Sequence, residues 1–260
     1  MAYKPFDLTG KVALVTGGNR GIGLGMAEAL AQSGADVVIW GSSPEHNAKA
    51  EAQLKETGVR VLAQRINVAE EGEVVTGMAE AVAKMGRVDC VIANAGIGGG
   101  ARSFPEFDTA TYRRVMAVDL DGVFFTFREA CKHMVERAQN GDRGGSLVAI
   151  SSVSAVHGAP RNQAYAAAKA GILSMVRAIA VEHARHGVRA NSILPGWIAT
   201  DMTQGAQANE KFVANVISRV PQRRWGEPAD FGGIAVYLAS DASSFHSGDS
   251  FVIDGGYTVY

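Results

Sequence analysis

Lys11-Val-Ala-Leu-Val15-Thr16-Gly17-Gly18-Asn19-Arg20-Gly21-Ile22-Gly23 is the stretch that decides the fold. Lys11 to Val15 is a short apolar run rich in β-branched residues, which predicts a buried strand. Leu24 to Gln32 predicts a helix, ended by Gly34. A glycine-rich turn by itself is only a turn. Placed between a strand and a helix it becomes a phosphate site: the glycines let the backbone approach a pyrophosphate, and the helix N-terminus favours its negative charge.

The same alternation continues downstream. Asp36 to Trp40 reads as a second strand, Pro44 to Thr57 as a charged helix ending at Gly58, and Val59 to Ile66 as a third strand. A helix over Glu71 to Met85 and a strand over Val88 to Ile92 follow, leading into Asn94-Ala95-Gly96. Asp108 caps a long helix through Val115, Phe124, Phe127 and Met134, ended by glycines 141, 144 and 145. Ser146 to Ile150 is a fifth strand, Val188 to Ile193 a sixth and Phe251 to Ile253 a seventh. Between the last two, Trp197 to Val220 reads as an irregular substrate lid, and Pro228 to Ala239 as a helix with proline near its start. Strands alternating with helices predict an α/β chain with a doubly wound, seven-stranded parallel sheet, in a single domain spanning residues 1–260.

Bulk properties narrow the function classes. The 260 residues are 47% hydrophobic and 20% charged, which suits one large core. Net charge is −1, and no basic cluster stands out along the chain, which argues against nucleic acid. No apolar run approaches the ~18 residues of a membrane span, and the first residues hold no apolar signal region. Cys90 and Cys131 read as free thiols in a reducing compartment, so the expected location is the cytoplasm.

Tyr165-Ala-Ala-Ala-Lys169 carries the candidate chemistry. On a helix, residues four apart share a face. A phenol ordinarily keeps its proton up to pH ~10. A neighbouring ammonium favours the phenolate, making a proton donor and acceptor suited to reversible carbonyl reduction. After the second strand, where many NAD-selective proteins place an acid on the ribose, the chain reads Gly41-Ser42-Ser43. No carboxylate there would repel a 2′-phosphate; Ser42 and Ser43 offer hydrogen bonds and Arg20 a charge. NADP(H) is therefore the expected cofactor, with NAD(H) as the alternative. Ser42-Ser43-Pro44 also suits a helix cap, and the two readings are compatible.

Thr16-Gly17-x-x-x-Gly21-x-Gly23, Asn94-Ala95-Gly96, Ser152, Tyr165-x-x-x-Lys169, Pro195-Gly196 and Asp254-Gly255-Gly256 occur in this order. Together they resemble the short-chain dehydrogenase/reductase family over nearly the whole chain. The resemblance implies a Rossmann fold and hydride exchange between a nicotinamide and a ketone or secondary alcohol. It implies that Tyr165 exchanges the proton, that Lys169 favours the phenolate and bonds the nicotinamide ribose, and that Ser152 orients the substrate oxygen. Gly17, Asn19, Arg20, Gly21, Ile22 and Gly23 would hold the pyrophosphate and adenosine side. Asn67 and Val68 would contact adenine, with Asn94, Ala95 and Gly96 beside them. Ile150 belongs to the same set, and Pro195, Gly196, Ile198 and Thr200 would hold the carboxamide. A homotetramer is implied, with the Tyr165 helix covered by the sheet and a second subunit.

Three positions depart from the family pattern. Val118-Asp119-Leu120-Asp121-Gly122 stands where the family often has Val-Asn-Leu-x-Gly. That asparagine helps hold a relay water, partly through its carbonyl, which Asp119 retains; a buried carboxylate would also need partners. Ala93 replaces an asparagine, and Asn67 an aspartate. No pair of the six histidines has zinc-protease spacing, and no metal is expected. His183 and His186 suit a helix C-terminus, and His157 reads as a loop residue or a substrate contact. The segment from Arg219 to Pro228 is similar to those of sugar-acid dehydrogenases and β-ketoacyl-acyl carrier protein reductases. His186 stands where such carrier-protein reductases often have arginine. Arg102 and Arg161 could meet an anionic substrate. The competing readings are enoyl reduction, which usually has a wider Tyr-to-Lys spacing, sugar epimerisation, usually in longer chains, and a non-catalytic NADP-binding protein.

Overall fold

The computed structural model describes residues 4–260. Seven parallel strands form one sheet in the order β3-β2-β1-β4-β5-β6-β7. They are β1 (Val12–Thr16), β2 (Asp36–Gly41), β3 (Val61–Arg65), β4 (Cys90–Ala93), β5 (Gly145–Ile150), β6 (Val188–Pro195) and β7 (Ser250–Ile253). The order reverses between β1 and β4, which opens a crevice at their carboxyl ends, where α/β sheets bind ligands.

Successive strand residues point to opposite faces, and both faces are covered. Val38 and Trp40 of β2 face a core built with α3 (Glu71–Met85), α5 (Gly122–Gln139) and α6 (Gln163–His183). Val37 and Ile39 face a second core built with α1 (Gly21–Gln32), α2 (Pro44–Lys55) and α9 (Gly232–Ala239). That two-sided burial is why the strands read as continuous apolar runs. Trp40 is fully buried, and its indole N–H donates to Gln64 Oε1 at 2.8 Å, so the ring's polar edge is satisfied.

Three segments differ in detail from the sequence expectation. The long helix after Asp108 is two helices, α4 (Thr109–Met116) and α5, joined by a π-helical turn over Ala117–Asp121. Asp108 does cap it, accepting from Thr111 N at 2.7 Å. The stretch read as an irregular lid contains a 3-10 turn (Asp201–Thr203) and two helices, α7 (Gln204–Gln207) and α8 (Glu210–Ile217). Asn209 caps α8 through Phe212 N. The helix expected from Pro228 begins as a 3-10 turn over Pro228–Phe231 before α9.

By length and composition α6 could cross a bilayer. Here it packs against β6 and β5, with Ile172 and Val176 fully buried. Cys90 and Cys131 are free, buried thiols, and burial pushes each up to about 12.

Candidate active site

The glycine turn is held from below by β4. Thr16 Oγ1 accepts from Asn94 N and Ala95 N, at 3.0 and 2.9 Å. Asn94 Nδ2 donates back to the carbonyls of Thr16 and Gly17, at 2.9 and 3.1 Å. Gly17 has φ +61 and Gly21 φ +54, left-handed values that favour glycine. A Cβ at Gly23 would fall 2.2 Å from Gly17 O and 2.4 Å from Asn94 Nδ2. Gly23→Ala is therefore expected to force the turn open, costing about 1–3 kcal/mol of stability and at least ten-fold in NADPH affinity. Calorimetric titration and a melting curve test both.

Arg20 precedes α1 with no side-chain cap, which leaves the first N–H groups of the helix free for an anion. Thr200 faces this turn: its Cγ2 lies 3.4 Å from where a Gly21 Cβ would be. The fold thus sets the Pro195-to-Thr200 turn opposite the phosphate turn, as a dinucleotide requires. Gly196 is held by N–H donation to Ile253 O at 3.0 Å, and Ile198 is buried. Arg20 Nη1 also meets Asp201 Oδ2 at 3.1 Å, joining the glycine turn to the lid.

On the adenosine side Ser42 is exposed at the end of β2, while Ser43 caps α2 by accepting from His46 N at 3.3 Å. The cap and an open serine coexist. Asn19 turns its amide inward, Nδ2 donating to Asn47 Oδ1 at 2.7 Å. Asn47 in turn donates to the carbonyls of Gly41 and Gln64, both at 3.0 Å. This buried amide shapes the turn and is absent from the sequence reading. Its signal is an amide at the head of an apolar stripe with Ala50 and Leu54. Asn67 Oδ1 accepts from Ala69 N at 3.2 Å, which occupies one lone pair of the oxygen expected to face adenine. Val68 is buried against Gly122.

The catalytic candidates converge at the end of β5. Ser152 follows that strand and starts a 3-10 turn over Val153–Ala155, its Oγ accepting from Ser154 N at 3.1 Å. That turn packs against α6, whose first turn carries Tyr165. Lys169 Nζ lies 5.3 Å from the Tyr165 ring centroid, within cation–π range. Lys169 is only 3% exposed, and Nζ donates to Ile150 O at 3.0 Å. Ser151 Oγ donates to Lys169 O at 2.8 Å, fixing that turn of α6 to the strand end.

Asp119 is fully buried. Its Oδ2 pairs with Lys169 Nζ at 3.3 Å, as an ion pair without hydrogen-bond alignment, and Oδ1 accepts from Ile97 N at 2.8 Å. Burial holds its carboxyl above the usual carboxylate range, while the ammonium and the Ile97 N–H oppose that shift. The π turn directs Asp119 inward, and Gly96 passes close over the pair: a Cβ there would lie 3.1 Å from Oδ2 and 3.2 Å from Nζ. The sequence expectation rested on Asp119's carbonyl; the side chain is what meets Lys169.

Around the mouth, Ala101 N donates to Arg161 O at 3.1 Å, tying the loops of Arg102 and Arg161 together. Arg161 sits at φ +68, a left-handed conformation unusual for a long side chain. His157 packs edge-on to Tyr257, with centroids 6.4 Å apart, and the Arg219 guanidinium lies 4.6 Å over that ring. A cavity of about 370 Å³ opens beside Trp197, Ile198 and Asp254, but Ser152 and Tyr165 do not line it. The catalytic candidates stand just past the end of β5 and in the first turn of α6.

A nucleotide crevice ending at a serine, a tyrosine and a buried lysine defines a class of nicotinamide-dependent oxidoreductases. The chain matches, over residues 17–258, a family model described as Enoyl-(Acyl carrier protein) reductase. It is 35% identical over 254 residues to the gluconate 5-dehydrogenase of Gluconobacter oxydans (strain 621H), covering 98% of this chain and 97% of that one. It is 38% identical over 258 residues to a sorbose reductase of Candida albicans, covering 97% and 89%. The crystal structure of a gluconate 5-dehydrogenase from Burkholderia cenocepacia J2315, in complex with NADP and tartrate, superposes with a TM-score of 0.93 at 32% identity over all of both chains. The chain belongs to the short-chain dehydrogenase/reductase family. It is an oxidoreductase that interconverts a ketone and a secondary alcohol, with NADP(H) the favoured cofactor.

Proposed function

We propose that the chain reduces the keto group of a sugar acid or a related keto sugar, and oxidises the product in reverse, with Tyr165 as the acid and base. Residues 1–260 act as one nucleotide-binding domain. The observation that carries this reading is Lys169, buried and held 5.3 Å from the Tyr165 ring centroid by the Ile150 carbonyl and Asp119. A fixed ammonium beside a phenol favours proton transfer through Tyr165 Oη. When bound, the nicotinamide supplies or accepts the hydride.

The chain's own residues do the rest. Ser152 Oγ hydrogen-bonds the substrate oxygen and aligns it with Tyr165. Gly17 to Gly23 and the free N-terminus of α1 hold the pyrophosphate, and Ser42, Ser43 and Arg20 the 2′-phosphate. Asn67, Val68, Asn94, Ala95 and Gly96 line the adenine side, while Ile150, Pro195, Gly196, Ile198 and Thr200 flank the nicotinamide. Lys169 also bonds the ribose. Asp119 helps to aim Lys169. Arg102 and Arg161, on loops joined at Ala101 N, face the acid end of the substrate. Three residues between Tyr165 and Lys169 favour carbonyl over enoyl reduction.

Two measurements test this. In an NADPH-oxidation screen of 5-ketogluconate, sorbose, a β-ketoacyl thioester, a cyclic ketone and a steroid ketone, the sugar substrates are expected to give the highest kcat/KM. Turnover of the thioester alone would replace the substrate class. In direct titration NADPH is expected to bind at least ten-fold tighter than NADH, and the reverse order would overturn the roles of Ser42, Ser43 and Arg20.

The protein is proposed to work in the cytoplasm as a homotetramer. Support for the assembly comes from apolar side chains left exposed on α5, α6 and the edge strand: Phe124 at 45%, Val181 at 83% and Val252 at 43%. Light scattering is expected to give about four times the 27.3 kDa chain mass.

A further inference from the structure

At the opposite end of the sheet from Tyr165, the amino ends of β4, β5 and β6 border a cavity of about 320 Å³. Its volume falls in the range of small-ligand pockets, about 300–1,000 Å³. Lys11, Arg87, Arg137, Arg143 and Arg189 line it, against two lining carboxylates, Asp89 and Asp241. In a chain of net charge −1 this is a local excess of positive charge. The five cations are scattered through the sequence and come together only in the fold.

The carboxylates are already engaged. Asp89 pairs with Arg87 at 2.6 Å and Arg137 at 3.0 Å, and Asp241 pairs with Lys11. Asp142 outside the lining also meets Arg87 and Arg137. Arg143 and Arg189 have no carboxylate partner among the described residues. Arg143 donates to Arg185 O. Arg189 Nη2 donates to the carbonyls of Leu238 and Ser240, at 2.9 and 3.3 Å, while its Nη1 is buried with no partner among the described residues.

Cys90, Ser146 and Arg189 stand in one rank across β4, β5 and β6. Cys90 supplies no countercharge, because burial keeps it a thiol. The Arg189 guanidinium lines the cavity with only carbonyls for partners, and an anion there would supply the countercharge that they do not.

We propose that this cavity is a second ligand site, which binds a phosphate group between Arg143 and Arg189. Guanidinium forks match tetrahedral oxyanions. The group comes either as free inorganic phosphate or as a phosphate monoester of a small metabolite. The site is independent of the reaction assigned to Tyr165.

The test uses the full chain saturated with NADPH, so that the cofactor's phosphate sites are filled. Inorganic phosphate is titrated against chloride at matched ionic strength, and the melting midpoint is followed. Phosphate is expected to raise the midpoint by on the order of 5 °C at saturation. Arg143→Ala, at an exposed position, is expected to weaken the apparent affinity at least ten-fold, and Arg189→Met to abolish the rise. Should Arg189→Met not fold, Arg143→Ala decides. A parallel titration with glycerol 3-phosphate separates the sources: tighter, variant-sensitive binding of the ester assigns the site to a monoester, and weaker binding to the free ion. Coincident midpoints in phosphate and chloride, or a rise unchanged in Arg143→Ala, would overturn the site.

Discussion

Tyr165→Phe is expected to lower kcat by on the order of 10²–10⁴, the range of a general acid–base contribution. The change removes one hydroxyl and keeps the ring that Lys169 approaches at 5.3 Å. Tyr165 is half-buried in the first turn of α6, and its hydroxyl has no hydrogen-bond partner among the described residues. Stability and NADPH affinity should therefore stay near those of the parent chain, and the loss should fall on kcat for every accepted ketone alike. Unchanged turnover would remove Tyr165 from the proton path. A loss confined to KM would recast it as a binding group.

Lys169→Met is the second large effect, and it reaches beyond catalysis. It leaves the fully buried Asp119 carboxylate without its cation. Removing one partner of a buried ion pair typically costs about 3–5 kcal/mol. The cost depends on pH, with a definite sign. Burial already holds the Asp119 carboxyl above its ordinary value, and Lys169 opposes that shift. Without Lys169 the shift grows. A carboxyl raised in the folded state binds its proton more tightly there than in the unfolded chain. Stability is then fullest below the unfolded value and falls as pH rises through the folded one. Lys169→Met should lose more stability at pH 8 than at pH 5, read as urea midpoints, and Asp119→Asn in the same chain should recover part of the loss. An equal deficit at both pH values would mean that the ionised carboxylate is not its cause.

The succession of strands and helices and the candidate site residues were legible because their signals are local or periodic. Apolar runs marked the strands, since the central ones are buried on both faces, and the glycine turn carried its own flanks. Ser152, Tyr165 and Lys169 declared themselves by order along the chain. What stayed hidden depends on partners far apart in sequence. Nothing near Asp119 says that it will meet Lys169, fifty residues on, or that Ile97 N–H will complete its coordination. Asn47 looks like one polar residue on a polar helix until Asn19, Gly41 and Gln64 close around it. The lid read as irregular because α7 has four residues and α8 eight, too short for a helical period to emerge.

The π turn over Ala117–Asp121 bears on how this chain can change in length. A helix advances by about 100° per residue, so the wider turn acts as a phase adjuster between α4 and α5. It lets Val115 on one side be buried beside Gly99, and Phe127 and Met134 on the other enter the core under the sheet, while Asp119 also points inward. Deleting one residue here would restore an ordinary helical ladder yet rotate one half against the other. Either the apolar stripe of α5 or the carboxylate would then turn away. Substitutions can be absorbed along this helix one at a time, whereas a single-codon deletion between residues 117 and 121 would set packing and chemistry against each other.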